Sequence, residues 1–346
     1  MKVKGLAALK PGGPLESYEF ERRSLGMKDV AFKITHAGIC HSDIHQVREE
    51  WGPALFPMVP GHEIVGMVTE VGSSVSKFKI GDRIGVGVFI DSCRECEPCK
   101  KGMQNYCDKG MTGTYNGYER DGKTIAFGGY STGFVINEDY AVTIPSNLDM
   151  AGVAPLLCAG ITLYSPIRHF KVGNGSKVAV MGLGGLGHMG VKFAHALGAE
   201  VTVLSHSERK REDALRMGAD EFFVIKSPEE LKPLRRKFDL ILNTVSALID
   251  INPYLGTLKI DGTMVIIGLP DQPYKVGAGA LLEGRKSLTG SMIGGMPELQ
   301  EMLNFAGAHN IVSDVEVISA DYANTAYERT VASDVKYRFV IDAETF

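Results

Sequence analysis

The sequence predicts a two-domain α/β protein: a β-rich region followed by a doubly wound parallel sheet. Three observations carry that expectation. The chain has 346 residues, more than a single hydrophobic core usually organises. Its texture changes near residue 153, from short alternating runs cut by glycine to strands alternating with helices. A Gly-x-Gly-x-x-Gly stretch then closes the first strand of the second region.

From about 28 to 150, the runs "DVAFKITHAG", "HEIVGMVTEVGSSV", "DRIGVGVFI" and "YAVTIPSNL" are apolar or alternating and are bounded by glycine. That is the pattern of short strands joined by tight turns. From about 153, six strands read at "KVAVMG", "EVTVLS", "EFFVI", "FDLILNTV", "TMVIIG" and "KSLTGS". Helices read between most of them, among them "GHMGVKFAHALG" and "SERKREDALRMG", each ending in a glycine suited to a left-handed cap. Strands alternating with helices call for crossover connections, hence a parallel sheet. Beyond about 293, "PELQEMLNFAGAHN" reads as a helix and "VKYRFVID" as a last strand. Six strands already complete the common doubly wound arrangement, so the pattern favours a return of this tail to the first domain.

With 44% hydrophobic and 23% charged residues the composition is that of an ordinary globular protein. A formal charge of −4 without long blocks of like charge argues against nucleic acid or anionic membrane as partners. The longest apolar-looking run, 177–199, contains Lys192, two histidines and repeated glycines, which suits a buried strand, turn and helix rather than a membrane span. "MKVKGLAALKPGGPLE" lacks the apolar run and cleavage pattern of a signal peptide. A cytoplasmic, reducing location is expected, where clustered cysteines bind metal more often than they form disulfides.

The glycine fingerprint is Gly182-x-Gly184-x-x-Gly187. Gly182 permits the turn, Gly184 lets backbone approach a pyrophosphate, and Gly187 lets helix and strand pack closely. Leu183, Gly185 and Leu186 complete the cradle at the helix N-terminus, whose free N–H groups face the phosphates. An NAD site would place an acid at the end of the second strand, against the adenosine ribose. Here "LSHSERKRE" places Ser205 there, followed by His206, Ser207, Arg209 and Lys210. Hydroxyls and cations suit a 2′-phosphate, so NADP(H) is the preferred cofactor, with Glu208 and Glu212 arguing against strict exclusivity.

The six cysteines fall into two groups. "DSCRECEPCKKGMQNYC" spaces four as Cys93-x2-Cys96-x2-Cys99-x7-Cys107, a pattern open to zinc, an iron–sulfur cluster, a redox dithiol or disulfides. The others are Cys40 in "HAGICHSDIH" and Cys158 in "PLLCAG"; with His62 in "VPGHEIVG" they match the Cys₂His set of a zinc site that keeps one position open.

Taken together, "GICHSDIHQ", "PMVPGHEIVGMVTEVG", "KIGDRIGVG", the four-cysteine loop, "PLLCAGITLYSP" and "GLGGLGHMGVKFAHALGAEVTVLS" resemble the zinc-dependent medium-chain dehydrogenase/reductases. The resemblance is to the cinnamyl-alcohol-dehydrogenase-like branch and its bacterial NADPH-dependent aldehyde reductases, and it spans nearly the whole chain. It implies a GroES-like catalytic domain over 1–153, completed by 294–346, and a Rossmann domain over 154–293. It implies two zincs per chain, with Cys40, His62 and Cys158 on the catalytic one, Glu63 able to approach that metal, and Asp43 orienting the histidine. Ser42 and His45 match the proton relay, an imidazole being a side chain able to take up and release a proton near neutral pH. By family position His41 touches the pyrophosphate, Thr162 the nicotinamide and Arg338 the phosphates, while Thr244, Gly268 and Ile293 line the cofactor groove. The implied reaction is reversible hydride transfer between NADP(H) and a primary alcohol or aldehyde, in a homodimer or a tetramer of such dimers.

Plant cinnamyl enzymes carry a tryptophan where "MTGTYNG" has Gly113, which argues against a tight monolignol pocket. Trp51, the only tryptophan, is a candidate wall of the substrate site, with Gln46 and Leu55 beside it. Two competing functions remain: an NAD-linked polyol or secondary-alcohol dehydrogenase, against which Ser205 argues, and a catalytically silent NADP-binding structural protein, against which the full set of Cys40, Ser42, His45, His62, Glu63 and Cys158 argues. A ferredoxin-like pattern would place its fourth cysteine after three residues and before a proline, whereas Cys107 follows after seven and precedes Asp108. Four thiolates fill a tetrahedral zinc, so Cys93, Cys96, Cys99 and Cys107 are expected to form a closed structural site.

Overall fold

In the computed structural model, which describes residues 1–346, the six expected strands of the second region pair into one sheet. Their order is Glu221–Val224, Glu200–Ser205, Lys177–Met181, Phe238–Asn243, Leu258–Ile266 and Ser287–Gly290, with every neighbouring pair parallel. Numbered along the chain this is 3-2-1-4-5-6, the doubly wound order. The central strands are buried nearly throughout, as apolar strands covered on both faces must be. The order reverses at Lys177–Met181, the position at which open α/β sheets bind ligands beyond the strand ends.

The first helix of this unit, Gly187–Ala196, is followed by Gly198 at φ +84°. The second is split: a 3₁₀ turn over Glu208–Lys210 precedes an α-helix over Arg211–Arg216, and Gly218 sits at φ +108°. Both glycines take the left-handed conformation that ends a helix.

The other unit is built on a seven-stranded sheet ordered Val142–Thr143, Arg83–Val86, Ile64–Val71, Asp29–Gly38, Arg338–Asp342 and Val315–Ile318, with Gly133–Asn137 also on Asp29–Gly38. The C-terminal strand pairs antiparallel with the long third strand, Val340 facing Gly38 and Asp342 facing His36. The tail therefore returns to the first sheet. A core cluster that includes Ile39, Ile44, Val47, Met58, Val59, Phe339 and Ile341 lies in this unit. Each fully buried aliphatic side chain contributes about 1.5–3 kcal/mol, so Ile39 and Ile44 anchor the segment between them.

The compact units are Met1–Ile161 with Gly294–Phe346, and Thr162–Ile293. The first boundary thus falls later than the expected 153/154. Ala154, Pro155, Leu156 and Leu157 form a fully buried 3₁₀ turn, packed on strands Asp29–Gly38, Ile64–Val71 and Arg83–Val86. That packing draws the following residue, Cys158, into the first unit. A second difference is the short helix His41–Val47, which the strand-like texture of the region did not announce. Asp43 at its third position accepts the backbone N–H of Cys40 at 2.9 Å, a capping interaction that starts the helix. No single helix is long and apolar enough to cross a membrane.

Candidate active site

Cys40, His62, Glu63 and Cys158 meet in the first unit, each offering one ligand atom within 4.8 Å of the others. Cys40 ends the long third strand's extension and caps the helix, His62 and Glu63 precede strand Ile64–Val71, and Cys158 follows the buried 3₁₀ turn. The sulfurs of Cys40 and Cys158 lie 4.0 Å apart, and both cysteines are free thiols. Gly38 makes room for the cluster, because a Cβ there would lie 2.1 Å from Glu63 Oε2.

His62 is held on two sides. Its Nδ1 lies 2.9 Å from Asp43 Oδ1, and its ring stacks on Tyr115 at 5.9 Å between centroids. Asp43 also accepts the N–H of Gly61, at 3.2 Å, and that of Cys40. A carboxylate accepts, so Nδ1 carries the proton and Nε2 presents its lone pair toward the thiols. Nε2 is buried and has no hydrogen-bond partner, as is Glu63 Oε2. Orphaned buried acceptors cost about 1–3 kcal/mol each, and a cation among them offsets that. The donor set therefore fits zinc, with two sulfurs and one imidazole nitrogen as three protein ligands.

Burial and mutual contact drive the acidic groups of the cluster apart in titration. Hydrogen bonding from Cys158 holds the Cys40 thiol well below the ordinary cysteine range, while the same contact and burial push Cys158 up. Burial pushes Glu63 up to about 8, against the pull of Arg338. Arg338, itself buried, pairs with Glu63 Oε1 through Nη2. Arg338, expected to reach cofactor phosphates, thus has one Nη on a buried counter-charge, as a buried guanidinium requires.

Ser42 follows Cys40 at the helix start, with its Oγ 3.6 Å from the Cys40 sulfur. His45 stacks on Trp51 at 4.7 Å and 26°, its Nδ1 contacts the Glu50 carboxylate, and the His41 ring is 5.5 Å away. Trp51 is half exposed. Gln46 and Leu55 are drawn together by Asn116, whose side chain contacts Gln46 Oε1 and accepts the N–H of Leu55 at 2.8 Å. Gly113 pairs with Phe89 on a short neighbouring strand. Sequence reasoning missed Glu50, Tyr115 and Asn116; Tyr115 and Asn116 sit in the quoted "GTYNG", where nothing in their spacing marks them.

Cys93, Cys96, Cys99 and Cys107 form a second cluster of ligand atoms within 4.8 Å of one another. Backbone N–H groups of Cys93 and Cys96 donate to the sulfurs of Cys107 and Cys93, each at 3.4 Å. The Ser92 hydroxyl, 2.7 Å from that of Tyr140, lies 3.1 Å from the Cys99 sulfur. Four converging thiols fit a closed tetrahedral zinc.

In the second unit Gly182 sits at φ +84°, and a Cβ on Gly187 would lie 2.0 Å from the Gly182 carbonyl oxygen, whereas one on Gly184 would meet nothing within 4 Å. Two glycines are thus required by the turn, and the third leaves the loop open to a phosphate. Leu183 is buried, and Gly185 and Leu186 are half buried. Lys210 Nζ donates to the Leu183 carbonyl at 2.7 Å, which brings the cation of the second strand's loop onto the glycine turn. Ser205 Oγ donates to the carbonyl of Ser207 at 3.2 Å, and His206 and Arg209 are exposed. The Thr244 hydroxyl donates to the Met181 carbonyl at 2.7 Å, and a Cβ on Gly268 would strike the Val245 carbonyl oxygen at 2.3 Å. Thr162 and Ile293 are buried at the two ends of the unit, Ile293 at φ +43°. The sequence did not single out His188, which is fully buried with Nδ1 3.1 Å from the Gly184 carbonyl.

Comparison with known proteins adds independent findings. Residues 26–146 match the alcohol dehydrogenase GroES-like domain, and residues 185–308 the zinc-binding dehydrogenase domain. The chain is 57% identical over 341 residues to NADP-dependent alcohol dehydrogenase C 1 of Mycolicibacterium smegmatis, covering 98% of this chain and 97% of that one. A cinnamyl alcohol dehydrogenase of Sorghum bicolor superposes with a TM-score of 0.96 at 46% identity, over 99% and 98% of the two chains. The CAD of Helicobacter pylori, solved in complex with NADP(H), does so with 0.93 at 40% identity, over 99% of each.

Proposed function

Because the chain belongs to the zinc-binding alcohol dehydrogenase family, we propose that it is an NADP-dependent alcohol dehydrogenase, or aldehyde reductase, acting on primary alcohols and aldehydes of aliphatic or cinnamyl type. The observation that carries this is the convergence of Cys40, His62 and Cys158 with an orphaned His62 Nε2. Three protein donors leave one position for a substrate oxygen.

Zinc bound there supplies Lewis-acid polarisation of the carbonyl, or acidifies the alcohol. NADP(H) supplies or accepts the hydride. The chain's own residues do the rest. Asp43 holds His62 in the tautomer that exposes Nε2. Ser42 exchanges the proton of the substrate oxygen, and His45 passes it to solvent, with Glu50 accepting from its Nδ1. Arg338 pairs with Glu63 and pulls its titration down against the effect of burial, beside the metal donors that Glu63 can approach. Trp51, Gln46 and Leu55 form one wall of the substrate site, and Gly113 leaves it wide. Cys93, Cys96, Cys99 and Cys107 hold the second, structural zinc.

Ser205, Ser207, Arg209 and Lys210 receive the 2′-phosphate, while the cradle of Gly182 to Gly187 takes the pyrophosphate, Thr162 touches the nicotinamide, and Thr244, Gly268 and Ile293 line the cofactor groove. The NADP dependence in the name of the 57% identical Mycolicibacterium smegmatis relative supports the same preference. A cytoplasmic homodimer is the proposed assembly. A screen of aliphatic and aromatic aldehydes with NADPH and NADH, beside metal analysis, tests the reading: turnover with NADPH and two zincs per chain are expected. Parity between the cofactors, or a zinc-loaded protein silent on every aldehyde, overturns it.

A further inference from the structure

We propose that Tyr130 is the positioning residue of the Asp43–His62 pair, and so controls how firmly the catalytic zinc is held; this rests on the zinc reading above. Asp43 is fully buried and carries a donor for each lone pair. Oδ1 receives His62 Nδ1 at 2.9 Å and the Gly61 N–H at 3.2 Å; Oδ2 receives the Cys40 N–H at 2.9 Å and the Tyr130 hydroxyl at 3.0 Å. Three of these donors belong to the segments that bear Cys40 and His62. The fourth comes from "FGGYS", residues 127–131, a loop that carries no metal donor.

Packing holds the phenol in place. Tyr130 is 0% exposed, and its ring lies against Gly61, where a Cβ would approach Tyr130 Cδ1 to 2.5 Å. The edge of Tyr327 meets the ring at 6.4 Å between centroids. Behind it, two loops interlock along their backbones: Gly128 N–H donates to the Val59 carbonyl at 2.7 Å, Gly129 N–H to Gly61 at 2.8 Å and Tyr130 N–H to Pro60 at 2.9 Å. A Cβ on Gly128 would lie 2.2 Å from the Pro60 carbonyl oxygen. The loop of 127–131 is thus clasped to the segment that ends in His62.

A carboxylate fixed at one oxygen is fixed at the other. With Oδ2 held by Tyr130 and Cys40, Oδ1 is directed at His62, and the imidazole cannot swing Nε2 away from the two sulfurs. Without the phenol, Oδ2 loses one of the two donors described above in a buried place, and the carboxylate gains a rotation that the ligand follows.

The test is Tyr130→Phe, which keeps the ring and its packing. Zinc release from the purified protein is followed with a chromogenic chelator, with the melting temperature measured in parallel. The four-cysteine site is an internal reference in the same chain. Loss of one orienting partner typically weakens metal binding about 10–100-fold, so one of two zincs is expected to leave about that much faster while the other leaves at the wild-type rate. Two zincs leaving at wild-type rates overturn the proposal, as do two zincs accelerated alike, which reports general loosening. A wild-type chain that yields one zinc overturns the underlying zinc reading and this inference with it, a result visible before the variant is made.

Discussion

The sulfur atoms of Cys40 and Cys158 lie 4.0 Å apart although 118 residues separate them in the chain. One is placed by a helix cap and the other by a buried 3₁₀ turn, so neither can find the other without the sheet between Asp29 and Val86. The conspicuous cysteine motif of the chain, by contrast, closes within residues 93–107.

Removing one of the distant thiols separates the two metal sites. Cys158→Ala is expected to hold one zinc per chain by elemental analysis, and to lose aldehyde turnover by about 10³-fold, the rate equivalent of roughly 4 kcal/mol of Lewis-acid stabilisation. Retention of both metals would remove Cys158 from the ligand set.

Ser42→Ala addresses the proton path alone. Loss of a proton-transfer partner lowers kcat by about 10²–10⁴-fold, and NADPH affinity, read by fluorescence titration, is expected to stay near wild type. An unchanged kcat would take Ser42 out of the mechanism.

Cofactor choice is tested at Ser205. Ser205→Asp places a carboxylate where the 2′-phosphate is expected; replacing a hydrogen bond to a charged group, worth about 1.5–3 kcal/mol, by repulsion lowers kcat/KM for NADPH relative to NADH by about 10–100-fold. A constant ratio would locate the phosphate elsewhere.

The Glu63–Arg338 pair predicts a stability effect. Arg338→Met removes the counter-charge of a carboxyl already pushed up to about 8, so its cost in denaturant unfolding is expected to grow as pH rises through that value, toward about 3–5 kcal/mol once the group would be charged. Adding Glu63→Gln should restore a large part of that loss, and additive losses in the double variant would show that the pair is not coupled.

Much of this architecture was legible because its signals are local. The six strands, the two left-handed helix ends at Gly198 and Gly218, and the crowding at Gly187 all follow from residues within a few positions of each other. The helix His41–Val47 was not legible: "HSDIHQV" has no sustained apolar stripe, and Ile44 and Val47 declare themselves only by being buried. The boundary near 153 moved because "APLL" packs against strands far upstream. The pairing of Arg338 with Glu63 was not legible for a similar reason, the two lying 275 residues apart.

By itself, then, the sequence determined the two textures, the glycine cradle with its Ser205, and the candidate metal donors, in part by residue type and spacing and in part by family resemblance. Only the tertiary structure showed how near those donors come to one another, which tautomer His62 adopts beneath Asp43, and which buried acid Arg338 pairs with. Those outcomes depend on burial, and burial assigns partners by proximity in space: a charge or ring nitrogen withdrawn from water takes whatever counter-group the fold has brought beside it.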